Sequence, residues 1–212
     1  MATLGLTGFL AVLRSMAGDG HDAEALMRQS RRGLAELGLN MTGAAMAIFD
    51  SRMRLRAGDY PGAEEAVSEA LRTGQRTGDR WVQSTALTDL AHVLLAQRRR
   101  ADAARAVGDI DSVPAPRDTE WRVRRLTAQS ALAALSASHA TAIRRADAAV
   151  AAAEGTQFLM LRCHAQATRA AVLRQAGRAA EAAAAQAAAR ALAMAKGDVT
   201  LLNADRGPGA PA

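Results

Sequence analysis

The chain has 212 residues, half of them apolar, 23% charged and only 3% aromatic, which excludes a disordered or membrane-spanning chain and suits one globular domain or a repeat array. Alanine dominates and strand-forming residues are scarce, so an all-α chain is expected and a β-rich enzyme fold is not. The net charge of +6 comes from 27 basic and 21 acidic residues. The two signs interleave, as in Arg28, Arg31, Arg32 and Glu36 or Asp102, Arg105 and Asp109, a pattern of solvated helix faces that argues against a nucleic-acid partner.

In chain order, the first predicted helix spans about 2–17. Its apolar run from Leu4 to Leu13 has no basic residue before it and stops at Arg14, too short to cross a bilayer and a poor signal peptide. It is therefore expected to be a core helix, with no membrane partner. The remaining predicted helices are 20–37, 41–57, 60–76, 80–97, 99–110, 118–136, 139–154, 157–176 and 178–196. The third pair is cut short by Ser112-Val113-Pro114-Ala115-Pro116, where proline removes a donor and fixes φ. Residues 198–212 end in Gly207-Pro208-Gly209-Ala210-Pro211-Ala212 and read as a flexible tail, leaving 1–197 as the domain.

A repeat underlies these elements. One turn position, followed five residues later by alanine, recurs at Gly18/Ala23, Gly58/Ala63, Arg98/Ala103, Ala137/Ala142 and Gly177/Ala182, at intervals of 40, 40, 39 and 40 residues. Five residues before it stand the apolar Leu13, Met53, Val93, Leu132 and Val172, expected to be buried. Seven before it stand the small Ala11, Ser51, Ala91, Ser130 and Ala170, needed where helix axes approach closely. Met27, Val67, Val107 and Ala146 continue the buried face beyond the turn, and Gln186 breaks the pattern in the fifth copy. Gly38, Gly78, Gly155 and Gly197 are expected to close the second helices in the left-handed conformation. The expected architecture is an α-α solenoid of about five antiparallel helical hairpins, stable only when stacked.

The residues offer little chemistry. Lys196 is the sole lysine and no phosphate-binding loop surrounds it, so neither an ATPase nor a Schiff-base enzyme is expected. Cys163 is the sole cysteine, which fits a reducing cytoplasm and rules out an internal disulfide. His21, His92, His139 and His164 fall in different copies without metal-ligand spacing. Cys163 and His164 are adjacent but project about 100° apart on a helix, so a packed role is expected rather than a nucleophile and base. Glu64 and Glu65 read as exposed first-turn residues. Trp81 and Trp121, 40 residues apart, read as hairpin-packing residues, with a nucleotide-stacking platform as the alternative. No cofactor, metal or catalytic residue is expected, so the protein is not read as an enzyme.

The segment from Gly58 to Leu71, with Gly58, Tyr60 and Ala63 and with Ser51 in the preceding helix, resembles the second half of a tetratricopeptide repeat. The run from Gly155 to Arg162, the stretch Leu173 to Ala182 and the segment Ala195 to Val199 are similar to the C-terminal helical region of bacterial adenylate/guanylate-cyclase and AAA-ATPase regulators and of LuxR-type regulators. This resemblance implies a right-handed solenoid in bacterial signalling or transcriptional regulation. It also implies a concave partner groove lined by first helices, which in this sequence carry Arg52, Arg56, Thr85, Thr88, His92, Arg124, Thr127, His164, Arg174 and Gln175. The implied function is a non-catalytic scaffold holding an acidic protein or peptide segment. A peptide or small-molecule sensor and a weak nucleic-acid binder are the alternatives. The alanine-rich last helix is expected either to cap the array or to mediate self-association, so a homo-oligomer stays open.

Overall fold

A computed structural model describes residues 2–113 and 118–200. Among them the chain is all-helical: α1 (Ala2–Met16), α2 (Gly20–Glu36), α3 (Asn40–Ala57), α4 (Tyr60–Thr77), α5 (Arg80–Ala96), α6 (Arg100–Ser112), α7 (Thr119–Leu135), α8 (His139–Glu154), α9 (Leu159–Gln175) and α10 (Ala179–Lys196). No helix among the described residues is long and apolar enough to cross a membrane. The prolines of the expected break after α6 lie outside the described residues, while Val113 before them is already extended.

Local chemistry sets the helix ends. Asp59, Asp79 and Asp118 sit at N-cap positions, where their carboxylates accept from Gly62 N at 3.0 Å, Val82 N at 2.8 Å and Glu120 N at 2.7 Å. The recurring turn position is left-handed in all five copies. Gly18, Gly58 and Gly177 adopt it without strain, whereas Arg98 (φ 58°) and Ala137 (φ 56°) hold a conformation costly for a residue with a Cβ. Gly38, Gly78 and Gly197 close helices as expected. Gly155 does not: its φ is −70°, and the carbonyl of Ala153 is taken instead by the backbone N–H and hydroxyl of Thr156.

Each helix packs on its chain neighbours, and α1, α3, α5, α7 and α9 also pack on one another in a row. No comparable row joins the even-numbered helices. The odd helices thus form one layer and the even helices flank it. Closeness comes from small residues: Ala11, Ser51, Ala91, Ser130 and Ala170 are all essentially inaccessible, as are Ala23, Ala63, Ala103 and Ala142. Where serine replaces alanine its hydroxyl finds a partner across the crossing, Ser51 Oγ donating to Ala63 O at 2.8 Å and Ser130 Oγ to Ala142 O at 2.7 Å.

Three expectations need correction. The opening helix is not wholly core: Leu6, Phe9, Leu10 and Leu13 are exposed on α1. Trp121 is buried, but Trp81 is 42% exposed. Asp198, read as part of a flexible tail, is fully buried and paired with Arg56 at the end of α3. Residues 201–212 of the expected tail lie outside the described residues.

Candidate functional site

The odd-helix layer turns one face of each helix inward, and spacings of three and four residues place Arg52 and Arg56 of α3, Thr85, Thr88, Asp89 and His92 of α5, and Glu120, Arg124 and Thr127 of α7 along that face. At its centre is Asp89, 1% exposed. Its carboxylate accepts from Arg52 Nε at 2.6 Å and from Arg124 Nε and Nη2 at 2.8 and 2.5 Å. Arg52 also reaches Glu120 at 2.7 Å. Burial alone would raise the Asp89 pKa, but the flanking guanidiniums of Arg124 and Arg52 outweigh it and hold the group below the ordinary carboxylate range. One buried carboxylate thus joins α3, α5 and α7.

A second tier lies one turn further along. Thr127 Oγ1 is within 3.2 Å of His92 Nε2 and 3.0 Å of His164 Nε2, and the two imidazoles meet edge to face with centroids 5.0 Å apart. The carbonyl of Arg124, an acceptor only, lies 3.0 Å from His92 Nε2, so that nitrogen carries the hydrogen. Burial and the neighbouring Arg124 push His92 down to about 4, and burial, Arg124 and His92 hold His164 well below its ordinary value. Both rings are therefore neutral at pH 7. Arg56 Nη1 reaches Asp198 at 2.7 Å, bridging the end of α3 to the segment after α10.

A separate cluster outside this face ties the first two copies together. Arg31 of α2 pairs with the buried Asp50 of α3 and, at 2.5 Å, with Glu69 of α4, while Arg54 reaches Asp50 at 3.0 Å. Glu64, expected to be merely exposed, accepts from Arg99 at 2.7 Å and Gln97 at 2.9 Å and so links α4 to the α5–α6 turn.

Eight of the ten expected groove residues are thus brought to one inner face. Thr88 and Thr127 are inaccessible there, Thr88 Oγ1 donating to Ser84 O at 2.7 Å. Arg174 and Gln175, at the end of α9, are exposed and belong to the rim. The lining is not a row of free cations, because Arg52, Arg56 and Arg124 face Asp89, Glu120 and Asp198 of the chain itself. Those three carboxylates escaped the sequence reading. Asp89 could have been found by following the Thr85–His92 stripe, and Glu120 stands one turn before Arg124, whereas Asp198 and the His92–His164 meeting depend on long-range packing that no local spacing reveals.

Cys163 is buried, its thiol donating to Ala189 O at 3.2 Å, and burial together with Asp198 pushes its pKa up to about 11. Among the described residues no group of three or more His, Cys, Asp or Glu side chains is placed to hold a metal ion. Compared with family models, curated proteins and solved structures, the chain matches none.

Proposed function

We propose that the protein is a non-catalytic interaction scaffold, a right-handed solenoid of five tetratricopeptide-like hairpins that holds a protein or peptide segment. The observation that carries this reading is the row of odd-numbered helices packed on one another beneath flanking even-numbered ones. Each hairpin presents one helix to a common surface, which displays side chains at little ordering cost to a partner. Signalling or transcriptional regulation in the bacterial cytoplasm is the setting that the sequence resemblance implies.

The internally paired arginines move the contact surface outward. A partner meets the rim first, where Arg174 and Gln175 are exposed, and an acidic segment is favoured by the chain's net charge of +6. Substituting Arg52 or Arg124 would report on folding as much as on binding. The decisive experiment is co-purification from the native host at low salt with the wild-type chain and with Arg174→Glu/Gln175→Glu. Recovery of an acidic partner that the variant loses supports the scaffold. Failure to recover any partner, or one bound equally by both chains, refutes it.

A further inference from the structure

Between α3, α5 and α7, above the Asp89 network, lies a cavity of about 30 Å³ walled by Phe49, Trp81, Thr85 and Trp121, with Arg52 and Arg124 beneath it. Thr85 and Trp121 are each 6% exposed, and neither Thr85 Oγ1 nor Trp121 Nε1 has a hydrogen-bond partner among the described residues. The contrast with Thr88, whose hydroxyl bonds back to Ser84, shows that Thr85 forgoes the same option. Both residues line this one cavity, and two buried polar atoms left unmet are costly unless something comes in to satisfy them.

The lining selects the class of molecule. Arg52 and Arg124 are already matched by Asp89 and Glu120, and Asp118 adds a further carboxylate at the mouth, so an anion meets a net negative surround. The same surround would draw a cation, but the ring faces that would hold one are taken. The Arg52 and Arg125 guanidiniums already lie over the Phe49 and Trp121 rings, at 5.6 and 5.4 Å, and the unmet indole N–H can only donate. What remains is an uncharged acceptor on an apolar, planar body.

We propose that this cavity is a binding site for a small uncharged molecule that places a carbonyl-type oxygen between Trp121 Nε1 and Thr85 Oγ1 and lays an apolar ring against Trp81. Its volume holds a group the size of one or two waters. The ring is accommodated by Trp81, which is 42% exposed and held on its polar side only by a 3.4 Å contact to Asp118. The site stands apart from the scaffold reading, since a small molecule can bind whether or not a macromolecular partner is found.

The test uses the full chain and three probes of equal size: benzamide, benzoate and benzylamine. Trp81 and Trp121 are the only tryptophans, so intrinsic fluorescence reports on this cavity, and the Trp121 indole N–H resonance reports on the hydrogen bond. Benzamide is expected to saturate in the millimolar range and to shift that resonance downfield, with benzoate and benzylamine at least about ten-fold weaker. Thr85→Val is expected to raise the benzamide Kd roughly two- to ten-fold, the worth of one neutral hydrogen bond, while the unliganded variant melts no lower than wild type. The proposal is overturned if benzamide gives no saturable shift, as for a cavity that holds only water. It is equally overturned if the charged probes bind as well, or if Thr85→Val leaves the Kd unchanged.

Discussion

Replacing Asp89 by alanine removes the one carboxylate that three odd-numbered helices share. Arg52, its side chain 16% exposed, keeps Glu120, but Arg124, 13% exposed, loses its hydrogen-bonded carboxylate, keeps only the field of Glu120 and stays beside a second guanidinium. An uncompensated buried charge of this kind costs about 3–5 kcal/mol, a large share of the roughly 5–15 kcal/mol that stabilises a typical domain. For a chain of this size that corresponds to a fall in Tm of about 6–20 °C. Urea unfolding followed by far-UV circular dichroism measures it directly. The triple substitution Arg52→Met/Asp89→Leu/Arg124→Met, which removes every charge of the triad, is expected to recover most of the loss. A cost below about 1 kcal/mol for Asp89→Ala, the value of an exposed ion pair, would refute the assignment of Asp89 as a buried keystone.

Acid should loosen the same layer in a defined window. His92 and His164 are held below the ordinary histidine value by burial and by Arg124, so the unfolded chain takes up protons near pH 6.5 while the folded one resists, His92 until about pH 4 and His164 to well below its ordinary value. Stability is complete above that window and falls as pH drops through it, by about 1–3 kcal/mol given partial solvent access; urea midpoints at pH 7, 6 and 5 measure the slope, and His92→Gln/His164→Gln should flatten it. At the two left-handed turn positions without glycine, Arg98→Gly and Ala137→Gly should each stabilise by about 0.5–1 kcal/mol, read as a rise in Tm, with an unchanged Tm contradicting the strain argument. Gly74→Ala should destabilise by about 1–2 kcal/mol despite the better helix propensity of alanine. A Cβ there would stand 2.9 Å from Val82 Cγ1 and 3.0 Å from the Gln83 backbone nitrogen, so a neutral urea midpoint would count against that close approach.

The helices were legible because their signals are local. Alanine at fixed distances from a turn and glycine at 18, 58 and 177 each act within a few residues. The turn at Arg98 was found only because its neighbours repeat, since arginine itself carries no turn preference. The candidate site was legible by half. The inner-face arginines and threonines follow from the repeat resemblance, but their charge pairing does not, because Asp89 and Asp198 pair with residues 37 and 142 positions away. Leu13 misled as well: its repeat position is buried in Met53, Val93 and Val172 and half-buried in Leu132, yet Leu13 itself is exposed, because repetition fixes the place in the unit and not the packing around it.

The bridge from Arg56 to Asp198 changes how this molecule comes apart. Stacked modules held only by nearest neighbours fray from their ends, each terminal unit opening at its own small cost. Here the last helix cannot peel away without also releasing a cation at the end of α3, in the second unit of the row, so melting of the far end is registered near the beginning. Such a clasp makes unzipping concerted, and amide protons in α9 and α10 are expected to exchange with rates close to those of α3.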